Sequence, residues 1–158
     1  MEWNELPIVD IEKTIGYSFL DKDLLKQAFT TVRYWYKKTG YDHNLPNYIG
    51  NAIIMDEVNA LVKEGKLTKE QGDQIKTQFY AKWHQLMVDL EFDTYQIKLF
   101  PDPDEENERQ QYFDVANMFP LIICAVYFDQ KKQCTDEVKH VVDQILGVRK
   151  EFNFDYHA

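Results

Sequence analysis

Histidine is the side chain best suited to moving protons near neutral pH, and this chain places His43, His84, His140 and His157 far apart. None has a serine, cysteine or acid at a spacing that builds a nucleophile with its base, so surface or core histidines are expected and nucleophilic catalysis has little support. Cys124 and Cys134 show no Cys-x-x-Cys or Cys/His ligand pattern, which fits reduced thiols of an intracellular protein and argues against a zinc site. The acids at Asp56, Glu57 and Asp114 read as solvated helix-surface groups. The glycines are scattered and form no phosphate-cradling loop. One cluster, Arg33, Tyr34, Trp35, Tyr36, Lys37 and Lys38, interleaves rings and cations in a way that suits RNA contact, although the same composition fits a helix end with its rings in the core.

The elements that position these residues are helices. Period-two alternation is nearly absent and apolar residues recur at steps of three and four, so the expected class is all-α. Ile11 and Ile15 predict a short helical turn closed by Gly16, and Asp21 predicts the cap of a second helix with Leu24, Leu25 and Ala28 on one face. Tyr17 and Phe19 are expected to anchor the bend between them. After Pro46 a central helix is expected to carry Tyr48, Ala52, Met55 and Val62 on one stripe, widened by Ile49, Ile53 and Ala60. Thr68 and Gln71 match a capping box that starts one long amphipathic helix through Ile75, Phe79, Trp83, Leu86 and Leu90. The acidic, proline-containing stretch from Pro101 to Glu108 predicts a short solvated connection. Tyr112 to Phe128 is apolar on almost every side, and Thr135 precedes a last helix with Val138, Val141, Val142 and Ile145 inward and Gly147 at its end.

With 158 residues the chain is long enough for a single domain over 1–158 with its own core. Acids outnumber Lys and Arg 27 to 18, and a net charge of -9 repels a phosphate backbone unless cations cluster, so nucleic-acid binding by this domain alone is disfavoured. No segment of signal type stands at the start, and no apolar run reaches the length of a membrane span. A soluble, intracellular protein with no membrane partner is expected.

Three segments carry a resemblance. IEKTIGYSFLDKDLLKQAFTT sets Gly-Tyr-x-Phe before a Leu-Leu-x-x-Ala-x-Thr helix, LTKEQGDQIKTQFYAKWHQLMVDLEFDTYQI supplies a long helical stretch, and ANMFPLIICAVYFD fits Ala-Asp-x-Phe-Glu-Ala-x-x-Gly-Ala-x-Tyr-x-Asp without gaps. In this order, from residue 11 to residue 146, they resemble the endonuclease domain of the RNase III family, with 147–158 left as a C-terminal tail. Ala116, Phe119, Ala125, Tyr127 and Asp129 keep the frame of the last motif, and Cys124 takes a glycine position there as a small packing residue. The family's Glu-Arg-Leu-Glu-Phe-Leu-Gly-Asp-Ala falls on Asn44 to Ala52, where Gly50 and Ala52 are unchanged and Tyr48 and Ile49 are conservative.

The resemblance implies an RNase III-like helical fold and four carboxylates that hold magnesium for phosphodiester hydrolysis. The corresponding residues here are Asn47, Asn51, Asn117 and Pro120, so the expectation is no catalytic residue, no metal and no cofactor, the family Mg2+ site being lost. Pro120 is also expected to kink its helix near Ala116. On this reading the chain is not an enzyme but a pseudonuclease subunit, acting by dimerisation or protein–protein interaction in an RNA-processing or ribonucleoprotein complex. The family's pairing mode implies a homodimer or heterodimer through Tyr48, with Ile49, Met118, Leu121 and Ile122 either adding apolar area to that interface or filling the core, and without the usual double-stranded-RNA-binding domain. Two alternatives stand beside it. One is a divergent metal-dependent double-stranded-RNA endoribonuclease that uses a partner's carboxylates, or Asp114 with the acidic 104–108 segment. The other is a nuclease-independent RNA binder contacting RNA through Arg33, Tyr34, Trp35, Lys37 and Lys38.

Overall fold

The computed structural model describes residues 5–100 and 108–148, and over these the chain is helical, with no strand. The expected connection at Pro101 to Glu108, apart from Glu108 itself, lies outside the described residues, as do His157 and the tail beyond Val148.

The N-terminal elements follow their punctuation. α1 (Ile8–Ile15) ends at Gly16, whose positive φ of 76° is open to glycine at little cost. α2 (Lys22–Ala28) starts where the Asp21 side chain accepts a hydrogen bond from the Asp23 amide. Tyr17 and Phe19 pack edge to face in the bend, 4.9 Å apart. The cation and ring cluster is a helix of its own, α3 (Val32–Thr39), capped by Thr31.

α4 (Asn44–Lys63) begins before Pro46, and its inward face is Gly50, Ile54, Glu57, Val58 and Leu61. This corrects the expected stripe: Tyr48 and Ala52 point to solvent, and Ile49, Ile53, Met55, Ala60 and Val62 are half-buried flanks. A glycine and an acid sit at buried positions, so a reading by apolar residues alone rotated the helix.

The predicted long helix after Thr68 is divided into three. α5 (Lys69–Thr77) opens on a complete Thr68–Gln71 capping box, α6 (Phe79–Asp89) follows Gln78, and α7 (Phe92–Leu99) follows Glu91 in a left-handed conformation at φ 63°. At the first break the Thr77 hydroxyl donates to the Asp73 carbonyl at 2.8 Å, a back-bond that bends helices.

α8 (Glu108–Asp129) is the central element, with α2, α4 and α6 packed against it. It runs through Pro120 as one helix of 22 residues, so the proline does not end it. Among the described residues this helix alone is long and apolar enough to cross a membrane, but 67% of its apolar window is buried inside the fold. Phe119 meets the buried Trp83 of α6 edge to face at 5.7 Å. α9 (Asp136–Leu146) closes the fold against α1, α4 and α8 with Val138, Val141, Val142 and Ile145 inward, and Gly147 ends it.

Candidate functional site

The crossing of α4 and α8 brings Asn47, Asn51, Asn117 and Pro120 together. Asn47 Nδ2 donates to Asn117 Oδ1 at 2.9 Å, and Asn51 Nδ2 donates to Asn47 Oδ1 at 3.4 Å. The three part-buried amides therefore form one hydrogen-bonded chain. Helix spacing brings Asn47 and Asn51 together, one turn apart on one face, and α8 supplies Asn117 opposite them. Pro120 lies one turn further on, buried, with its carbonyl against Gly50. The helices approach this closely because Gly50 has no side chain: a Cβ there would overlap the Pro120 carbonyl oxygen and lie 2.8 Å from the Pro120 Cα.

The acids that sequence reasoning set in solvent are elsewhere, and two are corrected. Asp114 is only 2% exposed, and its Oδ1 accepts from the Val32 amide and Gln110 Nε2, so it ties α8 to the start of α3. Glu57 is 9% exposed and turned to α9, while Asp56 is exposed as expected. Among the described residues no group of three His, Cys, Asp or Glu is placed to hold a metal ion. Of the acidic 104–108 segment, only Glu108 is described.

Tyr48 stands beside the amide chain on the outer side of α4, 74% exposed, with Leu45 exposed one turn before it. Ile49 is half-buried. Met118 and Ile122 are wholly buried, which corrects their expected place in an interface: their apolar area is already used in the core between α8 and its neighbours. Leu121 is buried but lines a recess with Leu24, Ala28, Trp35, Pro46 and Cys124. Burial in this apolar lining pushes the Cys124 thiol up to about 12, which keeps it protonated and unreactive.

α3 divides its cluster. Tyr34 packs on Phe100 at 5.2 Å and Trp35 stacks on His43 at 6.3 Å, so both rings face the protein. Arg33, Lys37, Lys38 and Tyr36 are exposed. His43 is buried, 3.1 Å from the Thr30 hydroxyl, and desolvation holds it down at about 4, so it is neutral at pH 7. His84 lies flat on Tyr112 at 4.1 Å.

Sequence reasoning missed one polar hub. Asp129 accepts from the Tyr17 hydroxyl at 2.6 Å and from the Leu20 and Asp21 amides at 2.9 Å each. Burial acts to raise its pKa, but the hydrogen bonds outweigh it and hold the carboxyl below its ordinary value. Burial and this bond push Tyr17 up to about 12. The signal was present: the Tyr of Gly-Tyr-x-Phe and the final Asp of the α8 motif are partners that join the α1–α2 bend to the end of α8.

This all-helical arrangement is consistent with the endonuclease-domain fold of RNase III. Two curated relatives carry the same name: Ribonuclease 3 of Helicobacter acinonychis, 23% identical over 150 residues, and Ribonuclease 3 of a Nitratiruptor species, 28% identical over 130. The matches cover 90% and 77% of this chain but 60% and 54% of the relatives, so the chain spans little more than half their length. No protein-family model matches the chain, and no solved structure matches it. The relatives support an RNase III-like family. They also correct the expectation of a non-enzyme, because both are named for an enzyme and neither comparison shows a loss of activity.

Proposed function

We propose that this chain is one subunit of an RNase III-type dimer that processes double-stranded RNA, in which the metal-binding carboxylates are the partner subunit's. The observation that carries this reading is the hydrogen-bonded amide chain of Asn47, Asn51 and Asn117 beside the exposed Tyr48. Magnesium favours anionic oxygen ligands at about 2.0 to 2.1 Å. Three neutral amides and a proline supply no charge, and Asn117 Oδ1 and Asn47 Oδ1 already accept hydrogen bonds. The donor set does not fit the ion.

The same crossing is well suited to pairing. The exposed Tyr48 with the exposed Leu45 one turn before it, and the apolar recess lined by Leu121, supply an anchor and a socket for a symmetric or pseudosymmetric contact. A second copy of this chain would bring the same neutral residues, so the reading requires a partner of RNase III type with its carboxylates intact. The complex captured with this chain from its native cells is expected to cut double-stranded RNA with magnesium or manganese and to stop with a chelator. Cutting by the purified chain alone, or capture without a carboxylate-bearing partner, overturns the assignment.

A second reading is RNA contact through α3, favoured by the exposed Arg33, Lys37 and Lys38, which cluster cations on a chain whose net charge of -9 otherwise repels phosphate. Tyr36, rather than Tyr34 or Trp35, offers its ring. This reading expects salt-sensitive binding weakened by Lys37→Glu, and no binding at low salt overturns it.

A further inference from the structure

α4 and α9 meet through two acids. Glu57 is nine-tenths buried on α4 and faces Asp143 of α9. Ionised carboxyl groups only accept hydrogen bonds, and two of them brought together repel. Asp143 Oδ1 is buried, and no described group donates to it. One proton meets both needs, giving this oxygen a donor and removing one of the facing charges.

We propose that Glu57 keeps a proton and donates it towards Asp143 across the α4–α9 contact, making the seating of α9 a proton-dependent joint that loosens when Glu57 is charged. The surroundings support it. Glu64, just past the end of α4, adds negative charge towards Glu57, Lys139 on α9 is the cation acting on it, and Cys134 in the connection to α9 lies in the field of Glu57, Asp56 and Lys139. Burial first, then the Asp143 contact, pushes Glu57 from 4.5 up to about 8, with Lys139 acting the other way. The sign follows from proton linkage. Between these values the folded chain holds a proton that the unfolded chain has lost, so stability falls as pH rises and levels off above about 8. Glu57 lies about 15 Å along α4 from Asn47 at 1.5 Å per residue, so this inference does not depend on the site reading.

The test follows the denaturant midpoint of the whole chain from about pH 6.5 to about pH 9, a window above the titration of His43. The wild-type midpoint is expected to fall across this window. Glu57→Gln keeps a donor towards Asp143 at every pH and is expected to be flat. A flat wild type, or a Glu57→Gln variant with the wild-type slope, overturns the proposal. If Glu57→Gln does not fold, the carboxyl carbon of Glu57 is followed by NMR in the wild type: a titration midpoint near 8 supports the joint, and one near 4.5 overturns it.

Discussion

The Cα of Gly50 on α4 lies directly against the carbonyl of Pro120 on α8, leaving no room for a side chain between the helices. Three bonded amides lie along the same crossing, so Gly50 sets the distance at which Asn47 reaches Asn117. Backbone blocks the space, and no rotamer change can relieve an added methyl. Gly50→Ala is therefore expected to destabilise the fold by about 3 kcal/mol, the upper end of ordinary overpacking, despite alanine's better helix propensity. Urea unfolding measures it, and a loss below about 1 kcal/mol would show that the helices can separate without penalty.

His43 and Glu57 oppose one another in their dependence on pH. Desolvation holds His43 near 4 against an ordinary 6.5, so the unfolded chain binds the extra proton between those values and stability rises with pH there. Glu57 acts in the opposite sense between 4.5 and about 8. Each contributes about 1.4 kcal/mol per pH unit, so between pH 4.5 and 6.5 the two slopes offset and the wild type is expected to plateau. His43→Gln, which can keep a bond to Thr30, should convert the plateau into a steady fall with rising pH. A plateau that survives the substitution would assign it to other groups.

Restoring the carboxylates tests the donor-set argument without an RNA assay. The quadruple variant Asn47→Glu, Asn51→Asp, Asn117→Asp, Pro120→Glu places four acids where the amides now bond to one another. Their repulsion is expected to lower the melting temperature in chelator, and manganese is expected to raise it. At metal about 100-fold above Kd the gain is about 2.7 kcal/mol, read as a shift that the wild type lacks. Equal shifts in both proteins would show that the amides already hold the metal.

Helix starts and stops were legible wherever one residue makes the local bond: Asp21, the Thr68–Gln71 box, Gly16 and Gly147 all act as their types predict. The inward face of α4 was not, because Gly50 and Glu57 are buried for reasons that lie on other helices, the Pro120 carbonyl and Asp143. The two motifs single out Asn47, Asn51, Asn117 and Pro120, and the fold brings these residues together across α4 and α8. Apolar content could not separate Met118 and Ile122, facing the core, from Leu121, which reaches the recess. That distinction depends on which neighbours cover α8.

The exposed ring of Tyr48 gives the pairing reading its most direct test. On a lone chain a tyrosine at 74% exposure stabilises little, so its replacement should leave monomer stability within about 0.5 kcal/mol. In a dimer the same ring would enter an apolar recess, where a carboxylate would be desolvated without a partner. Tyr48→Asp is therefore expected to abolish capture of the carboxylate-bearing partner while the unfolding midpoint of the chain itself stays in place. Leu121→Asp should not separate the two effects, because Leu121 also packs inside the fold. A Tyr48→Asp chain that keeps its partner would remove this face of α4 from the interface.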